Sequence, residues 1–349
     1  MGVHYLAVDT MKILIPGGSG QVGTLLARHL YAAGHEVTVL SRNPSAHPEQ
    51  SWRMLPWDGL NPGPWAAEID RSDAVIHLSG RSVNCRYNAE NRRQIFDSRV
   101  KPTRLLGELI AASPAPPRIW MNASTSTFYR NALDRPQDEF TGELGDLPSE
   151  RGTREPANLP ETWSFSIDVA HRWEEAFAAV PTPRTRKIRL RSSMTMSPDA
   201  GGVFSVFSKL ARLGLGGTQG TGKQYVSWIH DIDYCRATDL LLEHPEITDE
   251  TDGVINLTSP EPLPNREFMR ILRHSLGQRI SLPAARWMLE IGAFAMRTET
   301  ELILKSRRVV PTLLLKHGFE FQFPTWPEAA KNLVERSRHC PPQPESTPI

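Results

Sequence analysis

Glycine recurs at three-residue intervals near the start of the chain, in Gly17-Gly18-Ser19-Gly20-Gln21-Val22-Gly23. The run follows an apolar stretch at 13–15 and precedes a stretch with helical spacing, so it joins a predicted strand to a predicted helix. Gly17 then permits a tight turn, Gly20 lets a phosphate approach the backbone, and Gly23 allows close helix packing. Free N–H groups at the helix start attract a diphosphate. We therefore predict a dinucleotide-binding loop rather than an ordinary turn, with contacts from Gly17, Ser19, Gly20, Gln21, Val22 and Gly23.

The second predicted strand ends in Val39-Leu40-Ser41-Arg42-Asn43, which contains no acidic residue. A protein specific for NAD commonly has a carboxylate at this point to bind the ribose hydroxyls. Ser41 and Arg42 instead offer donors for a 2′-phosphate, because a guanidinium forms charge-assisted hydrogen bonds to phosphate. The pattern predicts NADP(H) as the cofactor. The alternative is that Arg42 is a solvated loop residue.

Asp58 follows Trp57 at the expected end of the third strand. Its carboxylate is placed either to accept a hydrogen bond from the adenine amino group or to stabilise a turn, as aspartate commonly does. The sequence leaves both roles open.

Short apolar runs alternate with longer helical segments over the first 200 residues. This alternation is typical of βαβ units, and it predicts an α/β fold with a doubly wound parallel sheet of the Rossmann type. The predicted strands are 12–16, 36–40, 73–78, 118–122 and 187–191, and the predicted helices are 22–33, 95–112 and 163–180. Residues 134–160 lack a hydrophobic period and predict a long surface loop, either a solvated connection or a lid over the substrate.

The predicted domain division follows a change of pattern near residue 200. Residues 1–10 form an N-terminal extension, and 11–200 form the NADP-binding domain, completed by strands within 224–258. Residues 201–335 form mainly a smaller C-terminal α/β substrate lobe, with helices near 204–213, 231–243, 265–275 and 285–296. The Pro-rich end, 336–349, is predicted to be a disordered tail.

The 40 basic and 39 acidic residues nearly cancel, so the chain has no strong overall field to attract nucleic acid or an anionic membrane. Cys85, Cys235 and Cys340 are far apart and have no metal-ligand spacing, which argues against a disulfide framework or a zinc site. We expect no metal and a reducing, cytoplasmic location. We also expect no membrane span, because no apolar run approaches the roughly 20 residues that a span needs.

Further motifs stand in a recognisable order between residue 11 and about residue 334. They are His77-Leu78-Ser79-Gly80, Asp97-Ser98-Arg99-Val100, Arg189-Leu190-Arg191, Gly214-Leu215-Gly216-Gly217, Ser227-Trp228-Ile229-His230, Arg308-Val309-Val310-Pro311 and Gly318-Phe319-Glu320-Phe321. With the glycine loop, they resemble those of the extended short-chain dehydrogenase/reductases, in particular an atypical epimerase-like subgroup related to nucleoside-diphosphate-sugar epimerases. The resemblance also implies a C-terminal domain without an assigned function.

By this resemblance, Leu78, Ser79 and Gly80 lie beside the cofactor ribose, and Ser193 and Met194 lie near the nicotinamide. Their place at the carboxyl edge of the sheet supports the assignment, because open α/β folds bind ligands there.

The end of the fifth strand is where relatives place a hydroxyl that hydrogen-bonds the substrate carbonyl. Ser124 is the first candidate for this catalytic role and Ser126 the second, while Tyr129 is a candidate proton donor. The alternative is that these hydroxyls satisfy backbone groups in a turn.

Enzymes of this superfamily commonly use a tyrosine with a lysine four residues later, whose ammonium lowers the pKa of the phenol. None of the six tyrosines has a lysine at that spacing, and the helix that should carry the pair has Ser166 and Ala170 at those places. The epimerase-like subgroup itself commonly lacks the pair. The absence therefore fits the resemblance and weakens the prediction of catalysis.

His230 and Asp233 are close enough in sequence to suggest an acid–base dyad. We favour structural roles, in which Asp231 caps the following helix and His230 joins the sheet to the C-terminal lobe.

The sequence leaves two functions open. The first is an NADP-dependent oxidoreductase or epimerase-like enzyme acting on a small polar molecule, with nucleotide sugars as one candidate class. The second is a non-catalytic NADP-binding redox sensor or scaffold. By analogy with relatives, a homodimer would form through the helices at 95–112 and 163–180.

Overall fold

The computed structural model describes residues 10–46, 49–146, 159–199, 201–278 and 301–339. The strands are β1 (Lys12–Pro16), β2 (Glu36–Ser41), β3 (Arg53–Pro56), β4 (Ala74–His77), β5 (Ile119–Thr125), β6 (Arg186–Ser192), β7 (Met194–Met196), β8 (Tyr225–Val226), β9 (Trp228–His230), β10 (Val254–Leu257) and β11 (Leu263–Pro264). The α-helices are α1 (Gln21–Ala32), α2 (Ala89–Ala112), α3 (Glu161–Ala179), α4 (Val203–Arg212), α5 (Asp231–Glu243), α6 (Asn265–Ser275), α7 (Glu301–Leu304), α8 (Thr312–Lys316) and α9 (Trp326–His339).

A seven-stranded sheet lies at the centre of the described structure, in the order β10-β6-β5-β4-β1-β2-β3. Each adjacent pair is parallel. The strand order changes direction between β1 and β4, and open α/β sheets bind ligands at the carboxyl ends of their strands beside such a point. The predicted doubly wound fold of the Rossmann type is confirmed.

Side chains of β1 alternate between two hydrophobic layers, as the period of a strand requires. Ile13 and Ile15 belong to a buried cluster that includes Leu26 of α1. Leu14 belongs to a cluster on the other face, which includes Phe177 of α3. Burial on both faces explains why the strands read as continuous apolar runs.

A second hydrophobic core is formed by the C-terminal part of the chain. The ring of Phe268, on α6, stacks on that of Trp326, on α9, with centroids 4.1 Å apart. Strand β10, although it comes late in the chain, pairs with β6 of the central sheet. The sheet is therefore completed by a strand within 224–258. The division into units at 11–200 and 201–335 stays a prediction.

Two expectations about irregular segments need correction. Helix α9 runs through His339, so residues 336–339 are helical rather than part of a tail. The described part of the loop at 134–160 is not simply solvated, because Gln137 is buried. Its N–H donates to the Arg308 carbonyl, and its own carbonyl accepts from Val310 N–H. The predicted helix at 285–296 and residues 1–9 and 340–349 lie outside the described residues.

Candidate functional site

The turn after β1 is built around close contacts that require glycine. Gly17 has a φ of +76°, and a Cβ on it would lie 2.5 Å from Ser79 Oγ. Gly17 N–H donates to the Leu40 carbonyl at 2.9 Å. A Cβ on Gly23 would lie 2.4 Å from Gly18 Cα. The turn is therefore held against the ends of β2 and β4, with α1 packed directly onto it.

The start of α1 is open on its other side. Gly20 precedes the helix without a side-chain cap, and a Cβ on it would meet only the Gly17 carbonyl oxygen, at 3.9 Å. Within the described ranges, the N–H groups of Gln21 and Val22 have no hydrogen-bond acceptor. Unpaired N–H groups at the positive end of a helix dipole bind anions. This geometry is suited to a diphosphate.

The end of β2 lies beside the glycine turn. Ser41 is buried, and its Oγ donates to Ser19 Oγ at 3.0 Å. Arg42 is exposed, and its guanidinium forms no hydrogen bond to a residue that the structure describes. A donor next to the turn and a free cation at its rim suit a phosphorylated ribose.

Asp58 is exposed, and both of its oxygens are used within a turn. Oδ1 accepts from the N–H groups of Leu60, at 2.8 Å, and Asn61, at 2.9 Å. Oδ2 accepts from Asn61 Nδ2 at 2.7 Å. These bonds, first that from Leu60 N–H, lower the pKa of Asp58. Of the two roles left open by the sequence, the structure shows the turn, while the adenine contact stays a prediction.

The segment after β6 contains a buried hydroxyl, that of Ser193, whose oxygen has no hydrogen-bond partner among the described residues. The Ser193 N–H donates to the Leu257 carbonyl at 3.0 Å. Met194, the next residue, is half-buried. Gln21 Nε2, at the start of α1, is likewise buried without a partner in the described chain. Buried polar atoms are rarely left unpaired, so the residues fit a dinucleotide that completes the site.

The predicted catalytic residues Ser124 and Tyr129 lie in a buried network of charges. Ser124 Oγ donates to Glu174 Oε1 at 2.5 Å. Arg191 binds the same carboxylate through two nitrogens, Nε at 2.9 Å and Nη2 at 2.8 Å. Arg191 Nη1 also donates to the Tyr129 hydroxyl at 3.2 Å, and that hydroxyl donates to Asn256 Oδ1 at 3.0 Å. We call this set, Ser124, Glu174, Arg191, Tyr129 and Asn256, the Arg191 network.

Membership of the Arg191 network gives no support to the predicted catalytic roles. Burial raises the pKa of Tyr129 to about 12, and its single proton is donated to Asn256 Oδ1. Ser124 and Tyr129 are both largely inaccessible and already hydrogen-bonded inside the core. Ser126 is buried at the start of a short 3₁₀ turn, Ser126–Phe128. The half-exposed hydroxyls at the end of β5 are instead those of Thr125 and Thr127.

A second cluster of polar groups forms around Ser166, which the resemblance predicts to stand where relatives carry the tyrosine. Ser166 Oγ donates to Glu301 Oε2 at 2.5 Å. The Tyr87 hydroxyl shares a hydrogen bond with Ser166, and the charges of Glu301, Arg99 and Arg307 all act on it. Since the single proton of Ser166 goes to Glu301, the Tyr87 phenol must donate to Ser166 Oγ. We call these residues, Tyr87, Arg99, Ser166, Glu301 and Arg307, the Tyr87 cluster.

The C-terminal residues of the Tyr87 cluster are fixed to the end of β5. Arg307 Nη2 lies 3.3 Å from Glu301 Oε1, and its Nε donates to Thr127 Oγ1 at 2.9 Å. Lys305, also buried, donates from Nζ to the Thr127 carbonyl at 2.9 Å. The cluster therefore lies where the carboxyl edge of the sheet meets the C-terminal part of the chain.

Sequence reasoning missed Tyr87, Glu301, Lys305 and Arg307 because they come from segments more than 200 residues apart. The one available signal was Ser166, which the resemblance predicts to stand at the place of the acid–base tyrosine.

His230 and Asp231 have structural roles, as predicted, but with the capping role reversed. His230 precedes α5 and accepts from Ile232 N–H, so it is the capping residue. Its ring stacks on that of Phe323 with centroids 3.9 Å apart. Asp231 lies inside the helix and pairs with Arg336 at 2.7 Å.

Comparison with known protein families gives two matches. Residues 13–150 match the NAD dependent epimerase/dehydratase family, and residues 284–333 match DUF1731, a domain of unknown function. The chain is thus similar to the NAD dependent epimerase/dehydratase family over its N-terminal part and to DUF1731 over its C-terminal part. The order of the two matches reproduces the arrangement that the resemblance implied.

Relatives in this family align over nearly their whole length. The human epimerase family protein SDR39U1 is 29% identical over 327 residues, which are 93% of this chain and 100% of the relative. The epimerase family protein SSP1921 of Staphylococcus saprophyticus is 29% identical, with 92% of this chain and 98% of the relative covered. An epimerase family protein of Mycobacterium tuberculosis is 29% identical, with 91% and 95% covered.

Solved structures of this family superpose on the whole fold. Human SDR39U1, crystallised with NADPH, has a TM-score of 0.76 and 28% identity, covering 93% of this chain and 99% of that one. The nucleoside-diphosphate sugar epimerase from Corynebacterium glutamicum has a TM-score of 0.70 and 25% identity, covering 97% of this chain and 63% of that one.

Two kinds of site are not found in the described ranges. None of the helices there combines the length and apolar character needed to cross a bilayer. No three or more His, Cys, Asp and Glu side chains in those ranges are grouped so as to hold a metal ion.

Proposed function

We propose that this chain is an NADPH-dependent oxidoreductase or epimerase-like enzyme that acts on a small polar substrate, with nucleotide sugars as one candidate class. The observation that carries the proposal is the glycine turn, which presents unpaired N–H groups at the switch point of the sheet. A family member with the same fold was crystallised with NADPH, which supports this cofactor.

The cofactor site that we propose runs along the carboxyl edge of the sheet. The glycine turn, with Ser19, Gln21 and Val22, holds the diphosphate, and Ser41 and Arg42 bind the 2′-phosphate. Asp58, Leu78, Ser79, Gly80, Ser193 and Met194 complete the contacts that the resemblance implies. The bound nicotinamide supplies or accepts a hydride.

Reduction of a carbonyl also requires a proton on its oxygen, and we assign this step to Tyr87. The Tyr87 hydroxyl turns from Ser166 Oγ to the substrate oxygen, its O–H bond breaks as the new O–H bond of the substrate forms, and the phenolate is then reprotonated from solvent. Positive charge from Arg99 and Arg307 favours the transient phenolate. Burial keeps the pKa of Tyr87 above its ordinary value, so the group is an acid rather than a base at rest.

A non-catalytic NADPH-binding sensor or scaffold is the second candidate. The absence of a Tyr-x-x-x-Lys pair favours it, as does the burial of Ser124 and Tyr129 in the Arg191 network. Under this proposal the site binds NADPH and turns over nothing.

Titration with NADPH and NADH, followed by nicotinamide fluorescence or calorimetry, tests the cofactor proposal. Arg42→Ala should weaken NADPH binding about tenfold and leave NADH binding unchanged, because it removes a charge-assisted bond to the phosphate. Arg104→Ala, at an exposed position on α2, is the matched control. Equal binding of NADPH and NADH by the wild type would overturn the choice of cofactor.

Incubation with NADPH and a panel of aldehydes and ketones, then with nucleotide sugars, separates the two candidates. Turnover by the wild type supports the enzyme. Tight NADPH binding without turnover on either panel supports the sensor or scaffold.

We further propose that the protein forms a homodimer through α2 and α3, and that it works in the cytoplasm without binding nucleic acid. Light scattering of the purified protein tests the first point, because a monomer mass would exclude it. Gel-shift assays at low salt test the last.

A further inference from the structure

Arg99, on α2, is held flat between two neighbours. Its guanidinium carbon lies 5.2 Å from the centre of the Trp173 ring. A Cβ on Gly80 would lie 3.2 Å from that carbon, and 3.3 and 3.5 Å from Nη2 and Nε. Because the carbon is the nearest of the three atoms, a flat face of the guanidinium rests against Gly80. Nε and Nη2, which form one planar edge of the guanidinium, donate no hydrogen bond to a residue that the structure describes.

The charge of Arg99 has no carboxylate partner among the described residues. Its one hydrogen bond there runs from Nη1 to the Ile95 carbonyl, at 2.9 Å. Arg191 and Arg307, by contrast, each pair with a buried glutamate. Burial lowers the pKa of Arg99 to about 10. A cation that is partly removed from water and unpaired is costly, unless a ligand supplies the opposite charge.

The surroundings of Arg99 are partly exposed and include other polar groups. Gly80 is exposed, and Arg99 and Ser166 are half-buried, so Arg99 lies at a partly exposed junction of α2, α3 and the segment after β4, which we call the cleft. The Tyr87 phenol interacts electrostatically with Arg99 in the same cleft. A substrate bound there would meet a fixed cation and a phenol at once.

We propose that Arg99 binds a carboxylate group of the substrate in this cleft. One unpaired positive charge and one planar edge match a singly charged, planar carboxylate, which a guanidinium binds through two parallel hydrogen bonds. A phosphate monoester carries more charge than this site balances. The inference rests on the proposed function, because it treats the cleft as the substrate site, and it narrows the substrate to small carboxylic acids.

Acetate and acetamide are matched probes, since they have nearly the same shape and differ in charge. Each is titrated against NADPH-saturated protein and followed by saturation-transfer NMR. Acetate should bind about tenfold more tightly than acetamide. Arg99→Gln should remove that preference, while Arg99→Lys should keep part of it because charge remains and the planar fork is lost. Arg104→Gln, on the exposed side of the same helix, should behave as the wild type.

Three results would overturn the proposal: equal binding of acetate and acetamide by the wild type, unchanged acetate binding in Arg99→Gln, or tighter binding of methyl phosphate than of acetate. If Arg99→Gln does not fold, the preference of the wild type for acetate and the affinity of Arg99→Lys test the proposal. Full wild-type acetate affinity in Arg99→Lys would contradict a role for the two-nitrogen edge of the guanidinium. If the wild type does not bind NADPH, the proposed function is wrong. Titration of acetate and acetamide against the cofactor-free protein still tests the role of Arg99.

Discussion

Helix α3 carries one member of each of two polar clusters, and the two clusters differ in what they leave unsatisfied. In the Arg191 network, Glu174 and Arg191 form a bidentate pair in which both side chains are less than 10% exposed. In the Tyr87 cluster, Ser166 is half-buried and Arg99 lacks a carboxylate partner within the described chain. Similar residue types thus form the Arg191 network, in which the arginine is paired with a carboxylate. They also form the Tyr87 cluster, in which Arg99 has no carboxylate partner among the described residues.

The difference teaches that residue type and strand position do not reveal whether a hydroxyl is already hydrogen-bonded inside the core. Ser124 follows the pattern expected of a catalytic serine, yet its proton is committed to a buried carboxylate. A satisfied buried network specifies the packing of the core. In the Tyr87 cluster, by contrast, Nε and Nη2 of Arg99 donate to no residue that the structure describes.

The largest expected effect is on the Arg191 network. Glu174→Ala leaves Arg191 charged and unpaired in the core, so the free energy of unfolding should fall by about 3–5 kcal/mol. Denaturant unfolding followed by circular dichroism measures this. Glu175→Ala, the exposed neighbour on the same helix, should change stability by less than about 0.5 kcal/mol. A small effect of Glu174→Ala would mean that the Arg191 network does not stabilise the fold.

The next effect compares two substitutions, each of which removes one phenol hydroxyl. Tyr87→Phe should lower turnover of an active carbonyl by about a hundredfold with NADPH affinity retained, because a general acid is lost. Tyr129→Phe removes the hydroxyl that bonds Arg191 and Asn256, so it should cost about 1 kcal/mol of stability and leave turnover nearly unchanged. Steady-state kinetics and thermal unfolding of both variants check this. The reverse result would return the catalytic role to the end of β5.

The last effect is spread over several pH units and concerns the edge of the Arg191 network. Glu139 accepts hydrogen bonds from Asn256 N–H, at 2.9 Å, and Leu313 N–H, at 3.3 Å, while burial raises its pKa from 4.5 to about 7. A raised carboxyl pKa means that the native state holds the proton more tightly than the unfolded state does. The stability that this provides is full below pH 4.5 and is lost as the pH rises to about 7.

Unfolding curves of the wild type and of Glu139→Gln between pH 4 and 8 isolate this contribution. The wild type should lose stability relative to Glu139→Gln over that range and level off above pH 7. Glu335→Gln, exposed on α9, is the control. Parallel pH curves for the wild type and Glu139→Gln would show that Glu139 has no such linkage.

Much of the Rossmann-type sheet was predictable because its signals are local. The strand at 12–16 and the helix at 231–243 coincide with β1 and α5, since buried strands and capped helices depend on short-range patterns. The end of β5 was placed too early, at 122 rather than Thr125. Polar residues there continue the strand because they pair with Arg191 and Ser192 of β6, which no local pattern encodes.

The sequence by itself determined the glycine turn, the alternation that builds a doubly wound sheet, and the absence of an acidic residue after β2. These are local, and backbone sterics and hydrophobic period fix them. Only the tertiary structure decided that Ser124 and Tyr129 are closed into the core, and that Tyr87, Ser166 and Glu301 meet although 135 residues separate the last two. Which partners each hydroxyl meets depends on packing, and packing is a property of the whole fold.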